Sequence, residues 1–158
     1  MRTILTAALT GWLLCAQPLA AHADPVETDP DLAARDADYA AGRDALKARD
    51  WPTAIARLSK AEVRNPDHAD LQNDLGFAYR NLKQYDSAFK HYKRALQIDP
   101  RHRSAHEYIG EAYLMVGDVK SAEKHLSALR DICLLGCEEL KDLQEAFVRY
   151  RGSSPPKR

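Results

Sequence analysis

The stretch LQNDLGFAYRNLKQYDSAFKHYKRALQIDP, residues 71–100, decides the fold because its apolar side chains recur at steps of three and four residues. That spacing places apolar side chains on one face of an α-helix. The first stripe comprises Leu71, Leu75, Ala78, Tyr79 and Leu82, and the second comprises Tyr85, Ala88, Phe89, Tyr92, Ala95 and Leu96. The polar pair at 83–84 lies between the stripes, and Asp99-Pro100 ends the second, since proline cannot continue a helix. The stretch therefore predicts two helices joined by a short turn.

The same pattern returns at one fixed interval along the chain. Its register columns include Gly42, Gly76 and Gly110, then Ala54, Ala88 and Ala122, then Ala41, Leu75 and Ile109, and then Leu58, Tyr92 and Leu126. A fixed period of this length indicates a repeat architecture, in which neighbouring units bury each other's apolar faces. The glycine and alanine columns predict the places where two helices approach closely.

This unit resembles the tetratricopeptide repeat, whose pattern is W-x2-L-G-x2-Y, then A-x3-F, then P, over about 34 residues. The middle unit matches at Leu75-Gly76, Tyr79, Ala88, Tyr92 and Pro100, the third at Ile109-Gly110, Tyr113, Ala122 and Leu126, and the first at Gly42, Ala54 and Pro66. The tryptophan position holds Asp38, Gln72 and His106 instead. The resemblance implies an all-α fold, a right-handed α-solenoid of three helix-turn-helix units at 35–68, 69–102 and 103–136.

The regions on either side of the repeats differ in composition. Residues 137–150 predict a capping helix that covers the last repeat with one apolar face. That face comprises Leu140, Leu143, Phe147 and Tyr150. Residues 24–34 form an acidic leader that we expect to be disordered, and residues 151–158 form a basic tail that we expect to be flexible.

The first 23 residues are typical of a secretory signal peptide. Arg2 supplies positive charge, an apolar core runs through 4–15, and Ala21 and Ala23 are the small residues expected at a cleavage site. The alternatives are a buried N-terminal helix and a lipoprotein signal at Cys15. We therefore expect export, with the periplasm as the first destination and the extracellular space as the alternative.

Charge and hydropathy exclude two classes of protein. The chain has 23 basic and 23 acidic side chains, which argues against binding nucleic acid through bulk positive charge. No apolar run reaches the roughly 20 residues that a membrane-crossing helix requires. We therefore expect no stable membrane span after signal cleavage, and a protein or peptide as the partner.

Two cysteines, Cys133 and Cys137, remain after signal cleavage. A four-residue step in a regular helix would hold the two side chains apart, but Gly136 breaks the helix between them. In an oxidising compartment this arrangement predicts a structural disulfide across the turn that joins the third repeat to the cap. Free thiols or half of a metal site are the alternatives.

No constellation in the sequence indicates catalysis or a cofactor. His102 and His106 are four residues apart, as two metal ligands on one helix face would be, but no third ligand is evident nearby. We therefore predict solvated histidines at a helix end and no metal site. Glu107 and Glu111 could form an acid–base pair, although on a repeat scaffold they more often mark a solvated or partner-facing edge. We expect a protein that is not an enzyme.

The resemblance also implies that the first helix of each unit lines a concave binding groove. The residues placed there by register are Tyr39, Arg43, Leu46 and Lys47, then Asn73, Phe77, Arg80 and Asn81, and then Glu107, Glu111, Leu114 and Met115. All twelve are off the apolar stripes, so we expect their side chains to be free to meet a ligand. The cations Arg43, Lys47 and Arg80 would lie at one end and the two glutamates at the other.

The expected function is that of an exported scaffold for protein–protein interaction, which binds a peptide or protein segment in this groove. An accessory subunit of an envelope complex is a special case of this role. The alternative is a small metal- or redox-handling periplasmic protein that uses Cys133, Cys137 and the histidines.

Overall fold

The structure is a computed structural model that describes residues 32–153. The predicted signal peptide at 1–23, most of the leader, and residues 154–158 of the tail lie outside the described residues. No helix in the described part is long and apolar enough to cross a membrane.

The described chain is built from helices and turns. In chain order the helices are α1 (Leu32–Arg35), α2 (Ala37–Lys47), α3 (Trp51–Arg64), α4 (Ala69–Asn81), α5 (Tyr85–Ile98), α6 (Arg103–Met115), α7 (Val119–Ile132) and α8 (Glu138–Ser153). Three hairpins, α2–α3, α4–α5 and α6–α7, stack in sequence order, and α8 follows the third. The predicted all-α solenoid of three repeats with a terminal helix is confirmed.

The turn inside each hairpin has the same geometry in all three repeats. Arg49, Lys83 and Gly117, which occupy one register position in successive repeats, have positive φ angles of 59°, 60° and 81°. In each turn the next residue donates its backbone N–H to a carbonyl five residues earlier, which closes the first helix with a Schellman motif. Glycine, which adopts this conformation without strain, occupies the position in the third repeat alone.

The turns between repeats differ in how they begin the next helix. His68 and His102 cap α4 and α6, because each Nδ1 accepts the backbone N–H of the residue three positions on, at 3.2 Å. The register-equivalent position before α8 is Gly136, which has a φ of 86°. There Cys133 and Cys137 form a disulfide across the turn, with their Cα atoms 5.7 Å apart.

The glycine column marks the close helix contacts. A methyl group on Gly42 or Gly76 would lie 2.6 Å from the side chain of Leu58 or Tyr92 in the second helix of the same repeat. At Gly110 the nearest side chain is instead Leu143 of α8, at 2.8 Å. In the third repeat, therefore, the capping helix occupies the close approach.

α8 does not pack as the next repeat would. Across the boundary between repeats, α4 packs mainly on α3 and α6 packs mainly on α5, which are the second helices of the preceding repeats. α8 instead packs mainly on α6, the first helix of the preceding repeat, and more lightly on α7. Leu143, Ala146 and Phe147 of α8 are buried in this contact together with Leu114 of α6. The capping helix thus covers part of the face of α6 that was expected to line the groove.

Two predicted boundaries shift. Leu32–Arg35, at the end of the expected leader, form α1, because Leu32 packs into the first core cluster with Tyr39 and Leu58. At the other end α8 continues through Ser153, which takes in the first residues of the expected tail.

Candidate functional site

A groove lies between the first helices of the three repeats. Its cavity volume is about 430 Å³. Six of the twelve predicted groove residues line it: Tyr39, Arg43, Leu46, Lys47, Asn73 and Phe77. Five residues that the register did not select complete the lining: Asp70, Asp74, His102, Ser104 and Tyr108.

α4 supplies the floor of this groove. Asp70, Asn73, Asp74 and Phe77 follow one another at helical steps of three, one and three residues, so they lie on one face. Asn73 is buried, and its side-chain oxygen Oδ1 has no hydrogen-bond partner among the described residues. Buried polar atoms are nearly always hydrogen-bonded, so an unpaired acceptor in a groove calls for an explanation.

Asp74 lies beside Asn73 and is also poorly compensated. Its carboxylate accepts a hydrogen bond from the Tyr39 hydroxyl at 3.2 Å, and the Nε atom of Arg43 lies 3.9 Å away. Burial raises the pKa of Asp74 to about 6, against the opposing effects of Arg43 and Tyr39. The groove therefore contains a carboxylate that is largely removed from water and whose cationic neighbour, Arg43, lies 3.9 Å away.

Asp70 is held by His102 at the other end of the floor. The Nδ1 atom of His102 accepts a backbone N–H, so the neutral ring has its proton on Nε2, which donates to Asp70 Oδ1 at 3.0 Å. This hydrogen bond lowers the pKa of Asp70. Asp70 is thus an oriented acceptor, and its side chain remains about half exposed.

Aromatic rings form one wall. The ring centroid of Phe77 is 5.1 Å from that of Tyr108 and 5.7 Å from that of Trp51. The guanidinium carbon of Arg80 lies 5.2 Å from the Phe77 centroid and 5.0 Å from the Tyr108 centroid. These contacts order a wall that offers apolar and cation-attracting surface.

The predicted separation of charge along the groove is wrong. Arg80 is buried and forms an ion pair with Glu111, the residue expected at the opposite end. It also donates to the backbone carbonyl of Tyr108 at 3.4 Å, and Arg149 of α8 approaches Glu111 at 3.5 Å. The first helices of adjacent repeats lie close enough for these side chains to pair with each other.

Glu107 is also not a free acidic group. It is 8% exposed, and burial together with the nearby carboxylates of Glu111 and Asp142 raises its pKa to about 8. The side chain is therefore mainly neutral at pH 7. Its environment at the α6–α8 contact removes the negative end that the sequence implied.

The expectation that all twelve side chains are free is also wrong for several others. Tyr39, Asn73 and Leu114 are buried, because neighbouring first helices and α8 pack over them. Asn81 is exposed and donates to the Phe77 carbonyl at 2.8 Å. Met115 is exposed and lines a second cleft of about 290 Å³ between α6 and α8, with Glu111, Leu114, Ala146, Arg149 and Tyr150.

A larger cleft lies elsewhere, at the N-terminal end of the described chain. Its volume is about 580 Å³, and it is bordered by Asp36 and Arg64. These two side chains pair in two-pronged fashion, at 2.7 and 2.9 Å, and the pairing lowers the pKa of Asp36 to about 2. Its principal polar groups already have each other as partners, so we place the functional site in the central groove.

The histidines and cysteines have structural partners. His106 and His125 approach through their Nδ1 atoms at 3.0 Å, and His106 Nε2 donates to the Pro100 carbonyl at 3.1 Å. The prediction that His102 and His106 are solvated is wrong, since both are buried between repeats. Among residues 32–153 no group of three or more His, Cys, Asp or Glu side chains could hold a metal ion.

A signal for the missed groove residues is present in the sequence. Asp70 and Ser104 share one register column, as do Asp74 and Tyr108, because the members of each pair are separated by one repeat length. The Asp74 column lies one residue after the first column that the resemblance selected, and the Asp70 column lies three residues before it. The groove wall is therefore wider than the register implied.

Comparison with known proteins places this fold and groove in a family. Two family models, both described as tetratricopeptide repeat, match residues 39–102 and 82–132. A small glutamine-rich tetratricopeptide repeat-containing protein 2 of Mycosarcoma maydis is 33% identical over 95 residues, which are 60% of this chain and 27% of the relative. The chain therefore spans only about a quarter or less of the length of curated relatives such as this one.

Solved structures share the fold. The TPR2B domain of yeast Sti1 in complex with pHsp70 superposes with a TM-score of 0.69 at 18% identity, over 78% of this chain and 98% of that one. The TPR domain of Arabidopsis OM64 gives a TM-score of 0.67 at 19% identity, over 78% and 99%. The first TPR of Spaghetti (RPAP3), bound to an HSP90 peptide, gives 0.65 at 17% identity, over 80% and 98%.

Proposed function

Because the chain belongs to the tetratricopeptide repeat family, we propose that it is an exported interaction scaffold that binds an extended segment of a partner protein. The segment would lie in the groove between α2, α4 and α6. The role is one of binding, and an accessory position in an envelope complex is one form that it can take.

One observation carries this proposal: the groove contains a buried acceptor with no donor. The Oδ1 atom of Asn73 is buried and lacks a hydrogen-bond partner in the described chain, and the residue lines the groove. An extended peptide offers backbone N–H groups and side-chain donors that can satisfy such an atom. The aromatic wall at Phe77 and Tyr108 adds apolar surface beside it.

The structural relatives support binding of this kind. Two of them are complexes, one with pHsp70 and the other with an HSP90 peptide. The low sequence identity carries the fold to this chain but not those ligands. The groove residues of this chain must therefore define its own partner.

Export rests on the sequence of residues 1–23. The mass of the protein purified from its native host tests it, because cleavage after Ala23 removes those residues. A mass that includes Met1–Ala23 would contradict the export proposal and leave the binding proposal standing.

Partner capture from the native host tests the groove. Arg43 and Lys47 are exposed on α2 and line it, so the double variant Arg43→Glu/Lys47→Glu changes the groove while leaving the core unchanged. We expect the variant to lose the proteins that the wild type retains. The matched control is Lys120→Glu/Arg130→Glu, which makes the same charge change on exposed positions of α7. Identical partner sets for the groove variant and the wild type would contradict the proposal.

A further inference from the structure

The groove floor is a row of acceptors. Asp70, Asn73 and Asp74 project from one face of α4 within about one helical turn. Asp70 is oriented by His102, Asp74 receives a single hydrogen bond from Tyr39, and Asn73 Oδ1 receives none among the described residues. A ligand that fills this floor has to bring donors.

The nature of these acceptors favours a positively charged donor. Two of the three are carboxylates, and the carboxylate of Asp74 has a cation no closer than 3.9 Å. A donor that is also cationic forms charge-assisted hydrogen bonds with carboxylates, which are shorter and stronger than neutral ones. An acidic or carboxy-terminal group seated here would instead meet like charge.

The aromatic wall fits the same kind of ligand. Arg43 already lies 5.8 Å from the centroid of the Tyr39 ring, and Arg80 lies over Phe77 and Tyr108. Because these rings already hold the guanidinium groups of Arg43 and Arg80, they offer an entering Lys or Arg apolar contact for its methylene stem, and the floor offers the charge.

The opposite rim has the complementary charge. Arg43 and Lys47 project from α2, with about half and nearly three quarters of their side chains exposed. A ligand that carried positive charge alone would leave these two cations facing like charge. A neighbouring acidic group in the ligand would face them favourably.

We propose that the groove recognises a mixed-charge peptide segment, with a Lys or Arg side chain seated against Asp70, Asn73 and Asp74 and a nearby acidic side chain facing Arg43 and Lys47. This inference rests on the proposed function and specifies the partner's chemistry. The four charged side chains of the groove are then each matched by an opposite charge in the ligand.

Synthetic peptides test this directly with the purified protein lacking residues 1–23. The probe is an N-acetylated, C-amidated seven-residue Gly/Ser peptide that carries one Arg and one Glu two residues apart. In the matched peptide the Arg is replaced by citrulline, which keeps the shape and loses the charge. We expect the citrulline peptide to bind at least about tenfold more weakly by NMR titration, as loss of a charged hydrogen bond predicts. Resonances of α4 should shift on binding.

A variant of the protein completes the test. Asp74→Asn keeps the shape and can still accept from the Tyr39 hydroxyl, so we expect it to fold, as its thermal midpoint will show. It should weaken binding of the Arg peptide about tenfold and change binding of the citrulline peptide little. The control is Asp86→Asn, which removes an exposed carboxylate on α5 outside the groove. Equal affinities for the Arg and citrulline peptides, or tighter binding of a peptide with Glu alone, would overturn the inference.

Failure of this inference is distinguishable from failure of the proposed function. If the Arg43→Glu/Lys47→Glu variant loses its native partners while Asp74→Asn keeps them, the scaffold role stands. The proposal that a Lys or Arg side chain of the partner binds at Asp74 is then wrong. If neither variant changes the captured proteins and no peptide shifts groove resonances, both are wrong.

Discussion

The two ends of the concave surface are built from the same helix positions but have opposite characters. At the α2–α4 end, Asn73 and Asp74 border an open cavity and have few partners. At the α6–α8 end, the positions equivalent to Asn73 and Arg80 are Glu107 and Leu114. Both are buried, Leu114 in a cluster with α8 residues and Glu107 within the electrostatic influence of Asp142 on α8. Whether a groove position can bind therefore depends on what packs over it, and the repeat register alone does not decide this.

The first test of this difference between the two ends weakens the packing of α8 on α6, and it has the largest expected effect. Leu143 is fully buried against Gly110, so Leu143→Ala leaves a cavity and should lower the free energy of unfolding by about 2–5 kcal/mol. Urea denaturation followed by circular dichroism measures the loss.

The control for this prediction is Val148→Ala, an exposed position on the same helix. It should change the stability by less than about 0.5 kcal/mol. A similar loss in both variants would show that α8 contributes through helix formation and not through its contact with α6.

The second test opens the disulfide that tethers α8. The ring closed by Cys133 and Cys137 is short, so the chain-entropy model gives a stabilisation on the order of 2 kcal/mol. Reduction should lower stability by that amount and increase amide hydrogen exchange in α8 more than in α4. Titration of thiols in the denatured, unreduced protein checks the starting state, since two free thiols would contradict the bridge.

The third test compares two glycines of the same column. Gly76→Ala would place a methyl group 2.6 Å from the buried ring of Tyr92, whereas Gly110→Ala would meet the ends of the Leu143 side chain on the terminal helix. Overpacking costs about 1–3 kcal/mol, and the higher helix propensity of alanine offsets about 1 kcal/mol of it. We expect a net loss of about 1 kcal/mol at Gly76 and a smaller change at Gly110. Equal losses would show that α8 is as firmly held as α5.

The fourth test measures how stability depends on pH at the α6–α8 end. Burial and neighbouring carboxylates raise the pKa of Glu107 to about 8, so the folded protein keeps a proton that the unfolded chain releases near its ordinary pKa of 4.5. Stability from this group is present below pH 4.5 and is lost as pH rises towards 8.

The free energy of unfolding of Glu107→Gln, relative to that of the wild type, should therefore be higher at pH 8.5 than at pH 5. The expected gain is about 1 kcal/mol, discounted from the full pKa shift because the site is partly solvated. Thermal melts of both proteins at the two pH values measure it. A constant difference between wild type and variant across this range would show that Glu107 ionises normally.

Local sequence patterns predicted the helices well, and the reason is physical. The steps of three and four residues around Leu75 and Tyr92 specify helical faces, and Asp99-Pro100 ends a helix whatever surrounds it. The glycine column at Gly42 and Gly76 likewise predicts a close approach that depends on one hairpin alone.

The groove was harder to predict because its character depends on contacts between repeats. The register places Arg80 and Glu111 on first helices, but their pairing depends on the distance between two first helices. Burial of Glu107 depends on the position of α8, which follows the disulfide turn and has no repeat register to compare. Asp74 was missed because it lies one residue beyond the face that the resemblance selected.

The short range of the packing has a consequence for how the chain acquires its structure. Within the described part, each helix packs only on helices one or two positions away in sequence. Contacts that are close in sequence require little loop closure, so folding is expected to be rapid and to proceed repeat by repeat. As the chain is synthesised from its N-terminus, the hairpins can close in order, and α8 arrives last. The α2–α4 end of the groove can thus be in place before the α6–α8 end is covered.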